Sequence, residues 1–103
     1  MQDRVGGLEV KVQDGSWVGV TATPDQIIVN AADWLAHLSG RRWRSSPHRV
    51  KNRSGHHRYS LAYFFDPCME AEAVPVTGDG EPLVYSDYLL SRFNTNYSYR
   101  EGR

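Results

Sequence analysis

The sequence predicts a mostly β domain, a barrel or sandwich with short flanking helices. A β-hairpin with a clear turn opens the chain, and a second stretch of strand-like alternation runs from residue 48 to residue 65. No long helical segment lies between the strand-like segments, which argues against a parallel α/β sheet. With 103 residues the chain is long enough for one domain and no more, so we treat residues 1–103 as a single domain.

The first predicted element is the hairpin. Leu8 and Val10 alternate with Glu9 and Lys11, which gives the strand one apolar and one polar face. Asp14-Gly15 supplies the turn, and a return strand follows from residue 17 to residue 20.

Next come a turn, a strand and a helix. The turn is TATPDQ, the strand is the apolar run QIIVN, and the short helix is AADWLAHLSG, which Gly40 ends. Near the C-terminus a looped stretch, DPCMEAEAVPVTGDGEP, leads to an amphipathic helix in SDYLLSRF, with Ser86 as its expected N-cap.

The second hairpin carries the candidate site. A three-residue loop, Arg53-Ser54-Gly55, would place Val50 opposite Arg58 and His48 opposite Ser60. Strand alternation then puts His48, Arg58 and Ser60 on one face.

These three side chains indicate a pocket for a small acid. The fork of an arginine matches a carboxylate or phosphate, a serine can add a donor, and a neutral imidazole can hold a metal. An alternative stays open, in which Arg58 pairs with an internal Asp or Glu and His48 is a hydrogen-bonded core residue. His56 and His57 are expected in a solvated loop, and His37 on the surface or in packing.

Composition excludes several classes of function. The formal net charge is zero, and the local cluster Arg41, Arg42 and Arg44 is expected to be a solvated loop, so we predict no nucleic-acid partner. No apolar run reaches membrane-spanning length, and MQDRVGG does not look like a signal peptide, so no membrane partner is expected. The single cysteine, Cys68, fits a soluble protein of the reducing cytoplasm.

The chain resembles a known family through five segments in order: QDRVGGLEV, DGSWVGV, IIVNAADWLAHLSGRRWRSSPHRV, NRSGHHRYSLAYFFDP and SDYLLSRF. They are similar to the C-terminal half of non-haem Fe(II), 2-oxoglutarate-dependent dioxygenases of the isopenicillin N synthase-like group. The resemblance implies a partial double-stranded β-helix, a jelly roll. It implies that His48 is the distal iron ligand, and that Arg58 and Ser60 hold 2-oxoglutarate or another carboxylate. The other substrate of the reaction stays an unknown small molecule.

One part of the family pattern is missing from the sequence. The resemblance implies an H-x-D motif, which gives the other two iron ligands, about ten residues before Gln2-Asp3, and neither H-x-D nor H-x-E occurs in the chain. His48 alone is therefore expected to bind Fe(II) weakly. We also expect the chain to need a complementary N-terminal portion or to associate with itself. The alternative function is a non-catalytic module that binds a small carboxylate or a partner chain.

Overall fold

The computed structural model describes residues 1–21 and 23–97, which form two compact units. The first unit contains Met1–Ala32 and Ser45–Phe64, and the second contains Asp33–Arg44 and the described residues from Phe65 onward. The described chain has five strands and two helices, so short strands outnumber helices as the sequence predicts.

The first unit is built on a three-stranded antiparallel sheet. Its strands are β1 (Leu8–Lys11), β2 (Trp17–Gly19) and β3 (His48–Val50), in the order β2-β1-β3. The predicted hairpin is confirmed, because β1 pairs with β2 across a turn in which Gly15 has φ +88°. Asp14 caps that turn by accepting hydrogen bonds from the backbone N and the Oγ of Ser16, at 2.8 and 2.6 Å.

The second predicted hairpin is wrong in its pairing. β3 pairs with β1, with Val10 opposite His48, and not with residues 58–62. Ser60 instead forms an isolated antiparallel bridge with Gln2. The N-terminal residues take the place that the prediction gave to β3, since Leu61 N donates to Met1 O at 2.8 Å and Asp3 N donates to Tyr59 O at 3.1 Å.

The predicted strand QIIVN is also wrong. Residues 26–30 form no strand, and Ile27 and Val29 are 74% and 88% exposed. A continuous apolar run becomes a strand when layers cover both of its faces, and within the first unit no described residue is fully buried. Residues 26–30 therefore pair with no strand in the described chain, and no packed layer buries Ile27 and Val29.

The second unit contains the buried core. α1 (Asp33–Leu38) and α2 (Tyr85–Asn96) accompany a two-stranded sheet of β4 (Glu72–Ala73) and β5 (Leu83–Val84). Ala36, Ala73 and Tyr85 are at most 4% exposed, and the rings of Trp34 and Tyr85 meet edge to face at 5.2 Å. The stretch expected to be a loop thus contributes β4.

Both predicted helices are present, with one correction. α1 ends at Leu38, and Gly40, the predicted stop, follows two residues later with φ +61°. Ser86 is not the N-cap of α2, because the helix begins at Tyr85 directly after β5 and no side chain caps it. Carbonyls of the residues before β4 accept from the first N–H groups of the helix, since Tyr85 N donates to Ala71 O at 2.9 Å and Ser86 N to Met69 O at 3.0 Å.

His37 lies in packing, as the sequence suggests. Its Nε2 lies 3.1 Å from both Ala73 O and Glu81 O. Because both partners are carbonyls, Nε2 carries the proton and donates to them, which ties α1 to β4 and to the residues before β5.

We expect Tyr88→Phe to destabilise the second unit and to change its response to alkali. Tyr88 Oη donates to Asp33 Oδ2 at 2.9 Å, and burial followed by that hydrogen bond raises the pKa of Tyr88 to about 12. A raised tyrosine pKa stabilises the fold below the unfolded value near 10, and this contribution is lost as the pH rises towards 12. Urea unfolding should show a loss of about 1 kcal/mol for the variant at pH 8.

Between pH 10 and pH 12 the stability of the unchanged protein should fall more steeply than that of Tyr88→Phe. The slope should not vanish in the variant, because burial also raises the pKa of Tyr85. Equal slopes in the two proteins would show that the hydroxyl of Tyr88 does not hold its proton more tightly in the folded state.

Candidate functional site

The candidate site of the first unit is centred on the guanidinium of Arg58. Its Nε donates to Gly6 O at 2.6 Å and its Nη2 donates to Gln2 Oε1 at 2.8 Å. Two fixed hydrogen bonds hold the half-buried side chain in one orientation. Arg58 makes no salt bridge with a carboxylate among residues 1–21 and 23–97. The structure therefore does not support the alternative in which Arg58 pairs with an internal acid.

Ser60 lies beside the remaining nitrogen of Arg58, as the prediction of a shared face requires. Arg58 Nη1 lies 3.4 Å from Ser60 Oγ, a long hydrogen bond between two exposed atoms. Since the two residues are i and i+2 on an extended backbone, they share a face even though the predicted hairpin ladder is absent. Arg58 and Ser60 are therefore close as predicted, but their spacing in the chain brings them together and the predicted hairpin does not.

Gln2 adds a donor that the sequence analysis missed. Its Nε2 is buried and has no hydrogen-bond partner among the described residues, while its Oε1 is taken by Arg58. An unsatisfied buried donor is costly, by about 1–3 kcal/mol, and is common where a ligand completes the hydrogen bonding. Gln2 and Arg58 are 56 residues apart, so no local pattern could have paired them.

Asp3 fixes the backbone that carries the site. Its Oδ2 accepts from Tyr59 N at 2.5 Å and its Oδ1 from Val5 N at 3.0 Å. The hydrogen bond from Tyr59 is the main reason why the pKa of Asp3 lies below its usual value, and the charge of Arg58 adds to the effect. The ionised carboxylate thus holds the residue between Arg58 and Ser60 in place.

His48 lies on the apolar face of the sheet, opposite Val10. It is exposed, so it is not the buried core residue of the alternative interpretation. Its Nδ1 lies 3.3 Å from Ser46 O. A carbonyl can only accept, so Nδ1 carries a proton in this contact, and in the neutral imidazole it is then Nε2 that has the lone pair for a metal.

The residues present fit a small carboxylate well and an iron ion only in part. A guanidinium that makes no salt bridge within the described residues, together with a neighbouring hydroxyl, suits a carboxylate, whose two oxygens accept several hydrogen bonds. His48 offers one metal ligand, and no group of three or more His, Cys, Asp or Glu side chains that could hold a metal occurs in the described parts of the chain. His56 and His57 are exposed near the loop, as expected.

None of the described helices is long and apolar enough to cross a membrane.

Together, this sheet and this cationic site define a β-protein suited to binding a small carboxylate. Comparison with known proteins identifies the family, because residues 1–67 match the model of the 2OG-Fe(II) oxygenase superfamily. The chain belongs to that superfamily. The family's description names both cofactors that the sequence predicts, Fe(II) and 2-oxoglutarate.

Several curated relatives support the family. Flavanone 3-dioxygenase 2 of Oryza sativa subsp. japonica is 35% identical, over 90% of this chain and 28% of its own. Gibberellin 20 oxidase 1 of the same species is 39% identical, over 84% and 24% of the two chains. The 1-aminocyclopropane-1-carboxylate oxidase of Musa acuminata is 33% identical, over 93% and 33%.

A solved structure is similar as well. A full-length protein of Neurospora crassa, crystallised in complex with alpha-KG and thymine, superposes with a TM-score of 0.83 at 30% identity, covering 93% of this chain and 33% of that one. The chain therefore spans about a third of the length of the relatives it matches or less.

Proposed function

We propose that this chain supplies the 2-oxoglutarate carboxylate site and the distal iron ligand of an Fe(II)- and 2-oxoglutarate-dependent dioxygenase with a jelly-roll fold. The observation that carries the proposal is the guanidinium of Arg58, held by Gly6 and Gln2 and left without a carboxylate partner in the described chain. The substrate that is oxidised is a small molecule of unspecified class.

Arg58 and Ser60 bind the carboxylate of 2-oxoglutarate that lies away from the iron. Arg58 contributes charge and Nη1, and Ser60 contributes Oγ. These contacts orient the cosubstrate before the reaction, and orientation raises the reaction rate far more than tight binding alone does. Asp3 keeps these groups in register through Tyr59 N.

His48 holds the iron through Nε2, because Nδ1 carries its proton towards Ser46 O. Fe(II), when bound, supplies the oxygen chemistry of the family. Three protein ligands form a facial site of this type, so we place the remaining two on polypeptide outside this chain. The relatives are about three times as long, which supports that placement.

Replacing Ser60 tests whether its hydroxyl donates a hydrogen bond to the carboxylate. We expect Ser60→Ala to weaken binding of 2-oxoglutarate by about tenfold or more, since one hydrogen bond to an anion is lost. Isothermal titration of the 103-residue chain measures it, with Ser91→Ala, an exposed serine of α2, as the matched control. An unchanged dissociation constant for Ser60→Ala would remove the hydroxyl from the proposed site.

Iron coupling tests the metal part of the proposal. We expect anaerobic Fe(II) to change the affinity of the 103-residue chain for 2-oxoglutarate by less than about threefold, because one histidine gives one ligand. His48→Ala should abolish whatever change is seen. A coupling of about tenfold or more would mean that this chain holds a complete iron site.

A second candidate function is a non-catalytic module that binds a partner chain. The observation that favours it is an extended segment of the first unit, residues 59–64, which ends in two adjacent exposed aromatic residues. Tyr63 and Phe64 are 87% and 79% exposed. Such a segment suits addition of a strand from another chain.

A further inference from the structure

A charged face covers the side of the three-stranded sheet that does not carry His48. Glu9 and Lys11 of β1 lie directly opposite Arg49 of β3 and Trp17 of β2. Lys51 continues the same face, because Lys51 N donates to Gly7 O at 2.8 Å and extends the ladder by one step. Aliphatic residues and His48 occupy the other side, so the two faces of this sheet differ in chemistry.

Positive charge dominates this face. Glu9 is its single acid, and its carboxylate accepts from Arg49 Nε at 2.6 Å and from Arg53 Nη1 at 3.2 Å. The guanidinium of Arg49 also stacks on the ring of Trp17 at 3.9 Å. Four cations, namely Lys11, Arg49, Lys51 and Arg53, thus face one carboxylate, and Lys51 has no salt bridge among the described residues.

A cleft of about 300 Å³ opens at one end of the charged face, and we name it the Lys51 cleft. Its lining includes Gly7, Glu9, Gly19, Lys51, Arg53 and Ser54. Gly19 lies opposite Glu9 and has no side chain to fill the space between them. A Cβ built at Gly19 would meet no atom within 4 Å, so the glycine leaves the cleft open and is not required by packing.

We propose that the Lys51 cleft binds a small polyanion, a phosphate ester or polycarboxylate carrying two or more negative charges. Both oxygens of Glu9 are engaged by arginines, so its charge is already compensated at the wall of the cleft. Two arginines share the single charge of Glu9, and Lys51 has no salt bridge among the described residues, so the lining keeps an excess of positive charge for a dianion. The volume is at the lower end for small-molecule sites, which suits an anion of a few heavy groups.

The cleft differs from the carboxylate site at Arg58 in its lining, although the two adjoin at Gly7, whose Cβ position lies 3.6 Å from Arg58 Cδ. The lining of the cleft contains neither Arg58 nor Ser60, and the cleft has no need of iron. The proposal therefore does not depend on the proposed oxygenase function, and either can fail without the other.

Amide chemical shifts of the isotope-labelled 103-residue chain test the proposal, with pyrophosphate and citrate as probes and acetate as a monovalent control. We expect saturable shifts at Gly19, Lys51 and Arg53 with at least one polyanion and none with acetate. Binding of pyrophosphate alone would assign a phosphate ligand, and binding of citrate alone a polycarboxylate.

Two variants change the cleft in different ways. Lys51→Gln removes charge, and Gly19→Leu fills the space without backbone strain, since φ at Gly19 is not left-handed. Each should weaken binding by about tenfold, whereas Arg42→Gln, at an exposed arginine of the second unit, should change nothing. Shifts that do not saturate, that centre on Arg58 and Ser60, or that survive both variants would overturn the proposal.

Discussion

Arg58→Ala should abolish binding of 2-oxoglutarate, with a dissociation constant raised by at least about 100-fold. The variant removes the charge and the Nη1 donor that face the carboxylate, and hydrogen bonds to charged groups are worth roughly 1.5–3 kcal/mol each. It also frees Gly6 O and Gln2 Oε1, which now accept from the guanidinium at 2.6 and 2.8 Å. Isothermal titration of the 103-residue chain measures the change.

Arg58→Lys separates binding from folding in this experiment. Lysine keeps the charge and a donor but loses the planar fork, so we expect affinity between those of the unchanged chain and Arg58→Ala. Arg44→Ala serves as the matched control, because Arg44 is exposed and lies in the second unit. Thermal melts of all variants show whether they are folded. A folded Arg58→Ala that binds as tightly as the unchanged chain would contradict the assignment of the carboxylate site.

The elements that the sequence predicted correctly depend on neighbours in the chain. The hairpin of β1 and β2 needs only alternation and the turn at Asp14-Gly15, and α1 needs only its periodicity and a stop at Gly40. The errors are long-range. QIIVN is apolar enough for a strand but has no partner in the described chain, and β3 pairs with β1, about 40 residues earlier.

The same contrast between local and long-range contacts explains why only part of the candidate site was predicted. Arg58 and Ser60 share a face at any register, so their proximity survives the wrong hairpin. The acceptors that orient Arg58 lie at Gln2 and Gly6, more than 50 residues away, and period-2 reasoning cannot reach them. The roles of His48, Arg58 and Ser60 in binding iron and cosubstrate stay predictions until the titrations are made.

Buried and exposed apolar side chains are divided unequally between the two units, and this bears on the second candidate function. The buried residues of the described chain, Ala36, Ala73, Pro75 and Tyr85, all lie in the second unit, whereas the first unit carries the candidate site on a sheet with exposed valines. Val18 and Val50 of that sheet are 48% and 53% exposed. Aliphatic and aromatic surface exposed to this extent is typical of a surface on which another chain packs, which is what the second candidate function requires.

Tyr63→Asp combined with Phe64→Asp should therefore remove association without unfolding the chain. Covering these two side chains withdraws roughly 150 Å² of apolar surface each, worth about 4 kcal/mol per ring before ordering costs. The unchanged chain, of 11.7 kDa, is expected to sediment above its monomer mass at roughly tens of micromolar, given edges and rings open to pairing.

The double variant should sediment as a monomer, and its free energy of unfolding should stay within about 0.5 kcal/mol, because both side chains are exposed in the isolated fold. Val76→Asp is the matched control, since Val76 is 72% exposed but lies in the second unit. If Val76→Asp dissociates the chain equally well, the association is non-specific. If the double variant associates as the unchanged chain does, residues 59–64 are not the surface that another chain covers, because two carboxylates in the contact would leave buried charges without partners.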